Sequence, residues 1–121
     1  MTHETQQTVS DWIEESFPNA SMRRRLKHLF EEVTELALAL DPELELADIQ
    51  AIVGHTAAKA TGGNAGSEIA DVRIALSGIA TAAGIDEQEA LDETMAGNRE
   101  RSLADRQARE AGKQQLTIFR S

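Results

Sequence analysis

Residues 21–40 read SMRRRLKHLFEEVTELALAL, and this stretch decides the fold. Its apolar positions Met22, Leu26, Leu29, Val33, Leu36 and Leu40 recur at spacings of 4, 3, 4, 3 and 4. That is the period of a helix with one buried seam. Ser21 stands where an N-cap hydroxyl is wanted. Toward the N-terminus, Val9, Trp12, Ile13, Ser16 and Phe17 mark one face of a short first helix, closed by Pro18-Asn19. Toward the C-terminus, Asp41-Pro42 reads as a cap followed by proline at the first helical position. It restarts a third helix through Leu46, Ile49, Val53, Ala57 and Ala60. The run Thr61-Gly62-Gly63-Asn64-Ala65-Gly66 interrupts that helix, because closely spaced glycines are poor helix interior. Ser67 is the expected cap of a fourth helix seamed by Ile69, Val72, Leu76, Ile79 and Ala83, with Gly84 just past its end. Asp86 and Glu89 form a capping-box-like pair that opens a fifth helix through Ala90, Leu91, Thr94 and Met95. The polar segment after Arg101 carries no assigned element, and only Gln115 to Arg120 offers material for a short edge strand. The expectation is an all-α bundle of four to five helices.

A chain of 121 residues makes one domain, 1–121, with a core over about 8–102 and a C-terminal tail over 103–121. With 12 basic and 21 acidic residues the formal charge is −9, which speaks against a nucleic-acid partner gripped by its phosphates. The absence of cysteine removes disulfides, thiolate metal sites and cysteine nucleophiles. Met1 to Ser10 is polar, so neither a signal peptide nor a membrane span is expected, and the expected compartment is the cytoplasm. One Trp, three Phe and no Tyr leave Leu, Ala and Ile to fill the core. So small an aliphatic interior gains from oligomerisation.

The chemistry is in the carboxylates. On a helix, Glu35 stands roughly 40° from Glu31 and roughly 60° from Glu32, so the three share a strip beside the Leu29/Val33/Leu36 seam. Glu68 and Asp71 project together from the flank of the Ile69/Val72/Leu76 seam. If the two helices pack through these seams, the acidic strips converge at one edge. Converging carboxylates repel unless hard divalent cations lie between them, and oxygen-only ligands select Mg²⁺ or Mn²⁺. A lone EExxE is commonly a solvated face. The second pair, followed on its own side by the small residues Ala75, Gly78 and Ala82, favours the metal reading. His28 falls near the same strip.

Taken in order, Glu31-Glu32-Val33-Thr34-Glu35 (EExxE), Glu68-Ile69-Ala70-Asp71 (ExxD) and Asn98-Arg99-Glu100-Arg101 resemble the motifs of MazG-like nucleoside triphosphate pyrophosphohydrolases, in the all-α NTP pyrophosphatase superfamily. Trp12 and Phe17 before the Leu-rich entry to EExxE resemble the start of small stand-alone members, and the likeness covers roughly residues 8 to 102. The resemblance implies an all-helical subunit assembled as a homodimer or a dimer of dimers (homotetramer). It implies Mg²⁺-dependent hydrolysis of a nucleoside triphosphate between the α and β phosphates. It makes Glu32, Glu35, Glu68 and Asp71 metal ligands, makes Glu31 a residue that orients or deprotonates the attacking water, and sets Asn98, Arg99 and Arg101 on the phosphate side. Where the family often has Lys, four residues before the Asn, this chain has Thr94, so Lys59 or an arginine is expected to supply the charge. Trp12 is a candidate for stacking on the base. The expected substrate is a purine (deoxy)nucleotide, dGTP/GTP or dATP. The alternatives are dUTP or dCTP, phosphoribosyl-ATP, and, from another class, a non-catalytic helical interaction protein.

Overall fold

The computed structural model describes residues 2–60 and 62–113. The segment Gln115 to Arg120 therefore lies outside the described residues. Those residues form six α-helices and no strand: α1 (Gln6–Ser16), α2 (Met22–Leu40), α3 (Leu46–Lys59), α4 (Ala65–Ala82), α5 (Glu87–Glu100) and α6 (Leu103–Lys113). The all-helical expectation holds, with a sixth helix in the segment to which no element was assigned. None of the described helices is long and apolar enough to cross a membrane.

Local chemistry explains most of the boundaries. Thr5 and Thr8 exchange side-chain and backbone hydrogen bonds across the first turn of α1. Ser21 caps α2, its hydroxyl accepting from the Arg24 amide at 3.2 Å. Between them Asn19 takes φ 61°, a left-handed conformation that asparagine tolerates better than most residues. Past α4, Gly84 sits at φ 71° while its amide donates to Thr81 and that of Ile85 to Ala80. This paired bonding satisfies the last carbonyls of the helix. Asp86 caps α5 through the Glu89 amide at 2.8 Å.

Two starts differ from expectation. Pro42 does not open α3. The Asp41 carboxylate accepts from the Glu43 amide at 3.2 Å and its carbonyl from Leu44, a turn that delays α3 to Leu46. Ser67 is not the cap of α4; Asn64 is, with its side-chain oxygen accepting from the Ser67 amide at 3.0 Å. Asparagine caps at least as well as serine, so the helix starts at the first polar group that reaches.

The packed part of the chain is α1 with α6 and the start of the chain with α5. α1 and α6 are the helix pair in substantial contact among the described residues. Gln107 donates to the Ser16 carbonyl and Arg106 to its hydroxyl, and Ser16 is wholly buried. Asp92 of α5 accepts from His3 at 2.7 Å, from the Glu4 amide at 2.8 Å and from Gln88 at 2.9 Å. Arg99 adds an ion pair with Glu4. These bonds hold the Asp92 carboxyl down at about 2, the His3 hydrogen bond first and the Glu4 amide next. Glu4 is lowered by Arg99, and Arg99 is raised in return.

Elsewhere the apolar seams are open. Ala80 and Met95 are the buried apolar side chains among the described residues. Leu26, Leu29, Val33 and Leu40 of α2 are exposed, and Ile69 of α4 is 71% exposed. The chain presents 9554 Å² to solvent. A compact monomer of 13.2 kDa presents about 6,400 Å².

Candidate functional site

The acids of α2 stand one turn beyond two bases. Lys27 Nζ lies 3.2 Å from Glu31 Oε1, and both side chains are largely withdrawn from solvent. His28 Nε2 lies 3.2 Å from Glu32 Oε1, with both side chains about half exposed. Each pair is an i, i+4 contact along one helix face. Glu35, on the next turn, is exposed. Lys27 was not legible as a site residue, since a lysine beside three arginines reads as solvated surface. Its burial is set by tertiary packing.

Glu68 lies in the first turn of α4 and Asp71 one turn on, both exposed. The chain enters this helix past the Glu68 carboxylate. A Cβ at Gly63 would stand 3.2 Å from Glu68 Oε1, so glycine leaves the carboxylate room.

Among the described residues α2 and α4 are not a pair in substantial contact, and the seams expected to meet are largely exposed. Both seams are exposed, and among the described residues no three His, Asp or Glu side chains gather as a cation site. The physical reason is plain. A 4-3-4-3 seam states that a face is to be buried but is silent on which surface buries it.

The residues expected on the phosphate side are tied locally. Asn98 Oδ1 accepts from Arg101 Nη1 at 2.7 Å, while its amide nitrogen faces Met95 Sδ at 3.9 Å. Arg99 is engaged with Glu4 and the Thr8 carbonyl, and so fastens α5 to the start of the chain. Lys59 is in the last turn of α3, exposed, as is Thr94 on α5.

Trp12 stands against Phe17 edge to face, ring centroids 6.0 Å apart at 81°. The Arg106 guanidinium lies 5.4 Å from its ring centroid. Trp12 borders a cleft of about 430 Å³ whose wall also includes Phe17, Arg24, Arg25, His28 and, from α6, Gln107 and Glu110. A second cleft, of about 440 Å³, lies beside Thr8, Asp11, Glu15, Arg99 and Arg106. His28 joins the first cleft to the acidic strip, since it lines the cleft and contacts Glu32. The α6 contribution was missed because the positions that meet α1 and the cleft, Arg106, Gln107 and Glu110, follow helical spacing but are all polar. An apolar period gives no signal there.

Comparison with protein-family models, curated proteins and solved structures gives no match.

Proposed function

We propose that this chain is a Mg²⁺-dependent nucleotide pyrophosphohydrolase of the MazG-like type, active as a dimer or dimer of dimers on a purine (deoxy)nucleoside triphosphate. One observation carries the reading: Glu35, Glu68 and Asp71 are exposed beside two apolar seams that the chain itself leaves uncovered. A second copy packed on those seams removes them from water and draws the two acidic strips into one place.

The donor set fits a hard divalent ion, being carboxylate oxygen throughout. Glu32, Glu35, Glu68 and Asp71 would hold it. When bound, such an ion supplies charge neutralisation at the phosphates and a water acidified enough to attack. Glu32 is released from an exposed pair with His28, and exposed pairs cost little to break. Glu31, paired with Lys27, would orient the attacking water or take its proton. The water oxygen adds at the α-phosphorus, the bond to the bridging oxygen breaks, and pyrophosphate leaves. Asn98 and Arg101 supply donors for that departing charge.

The test is pyrophosphate release from a panel of nucleoside triphosphates and phosphoribosyl-ATP, with and without Mg²⁺. Turnover of purine triphosphates that requires Mg²⁺ is expected. Glu35→Gln should lower it by a factor on the order of 10³ or more while the melting temperature is kept or raised, because repulsion among carboxylates is relieved. The open seams also suit a helical interaction protein. For that protein no nucleotide turns over and Mg²⁺ leaves the melting temperature of both forms unchanged. Turnover of phosphoribosyl-ATP alone would move the chain to the related helical enzymes of that substrate.

A further inference from the structure

We propose that the start of the chain is an autoinhibitory latch: the Glu4 carboxylate occupies Arg99 in the place of a phosphate, and a polyphosphate must displace it. The proposal rests on the hydrolase reading above, which sets Arg99 on the phosphate side, and adds a restraint on that residue.

Three observations carry it. The first is chemical likeness. Arg99 forms an ion pair with Glu4 and donates to the Thr8 carbonyl at 3.5 Å, so its guanidinium is engaged by the beginning of the chain. A guanidinium grips a carboxylate and a phosphate through the same planar fork of donors. The second oxygen of Glu4 accepts from the Thr8 hydroxyl at 3.1 Å, and the side chain is only 14% exposed. Glu4 is thus a fixed occupant of the arginine.

The second observation is that plug and anchor are separate. The backbone of residue 4 is seated on α5: its amide donates to Asp92 at 2.8 Å and its carbonyl accepts from Gln88 at 3.0 Å. His3 adds its own contact with Asp92 at 2.7 Å. None of these bonds uses the Glu4 carboxylate, so the segment keeps its seat when the carboxylate moves aside. The third observation is access. Arg99 is 40% exposed and lines the cleft of about 440 Å³, where a polyanion meets the guanidinium while the latch is shut. Arg106 lines the same cleft and adds positive charge. Asp11 and Glu15 on that wall are exposed and repel any anion, but equally so whether Glu4 is charged or neutral.

A latch lowers apparent affinity by the fraction of molecules in which Arg99 is free. The full chain is titrated calorimetrically with inorganic pyrophosphate in EDTA at constant ionic strength. Glu4→Gln, which removes the charge and keeps the backbone seat, is expected to bind about tenfold more tightly than the native chain. In an Arg99→Gln background the same change should gain less than about twofold, because the residue to be freed is gone. Coupling is reciprocal, so saturating pyrophosphate should speed amide exchange at Glu4 and Thr5 of the native chain about fivefold. That measurement needs no variant and stands even where a substitution undocks the segment. Equal affinity of the native chain and Glu4→Gln overturns the latch. So does a gain that persists without Arg99, or exchange that ignores pyrophosphate. The two readings fail separately. In a latched hydrolase Glu4→Gln lowers KM about tenfold at constant kcat. Triphosphate turnover with both constants unchanged by Glu4→Gln keeps the hydrolase and removes the latch. Pyrophosphate binding that follows the expected pattern, without turnover of any nucleotide, keeps the latch and removes the hydrolase.

Discussion

Lys27 and Glu31 show how much a single pair of side chains depends on its surroundings. The lysine is buried and its ammonium lies 3.2 Å from a carboxylate that is itself mostly covered. Removing one member of such a pair leaves the other desolvated, which costs about 1–3 kcal/mol. Lys27→Ala is therefore expected to destabilise the chain by that amount, read as a lower urea midpoint. The double variant Lys27→Ala with Glu31→Gln should recover part of the loss, which a purely steric role for Lys27 would not allow. The carboxylates of EExxE and ExxD were legible from spacing alone, because helix geometry sets which side chains share a face. The burial of Lys27 and the support of Trp12 by Arg106 were not. Both depend on what lies across the gap between elements.

Among the elements, α2 was readable to the residue: seam, cap and length all follow from local rules that agree with one another. The starts of α3 and α4 were displaced because two side chains, Asp41 and Asn64, bond to the backbone in competition with neighbouring caps. The docking of the chain start on α5 is an element-level contact with a pH signature. Asp92 is held at about 2 and Glu4 below its usual value, so each is more acidic folded than unfolded. A depressed carboxyl contributes stability that is complete above its unfolded pKa and is lost as pH falls toward the folded one. Undocking is thus expected as pH drops from about 4.5 toward about 2. Amide exchange of residues 4–9 should rise steeply across that window. Asp92→Asn should show faster exchange already at neutral pH and a flatter dependence on acid; an unchanged native profile in the variant would contradict the clamp.

At the scale of the molecule the surface is the dominant fact. The chain exposes 9554 Å², with Leu, Ile and Val seams of α2 and α4 open to water. Contiguous apolar side chains left in water favour association. The chain is expected to run as a dimer or tetramer in size-exclusion chromatography with light scattering, with a melting temperature that rises with protein concentration. Leu76→Glu, which puts a charge in the α4 seam, should shift the population to smaller species and lower that temperature. A monomer whose melting temperature ignores concentration would refute the assembly.

By itself the sequence determined the helices, the faces to be covered and the alignment of acids on each face, because these are properties of turns three and four residues long. Tertiary structure alone decided that α6 folds against α1, that Trp12 borders a cleft leading to His28, and that the α2 and α4 seams stay uncovered within one chain. Such outcomes depend on which distant surfaces meet, and a local period of hydrophobicity carries no address for its partner.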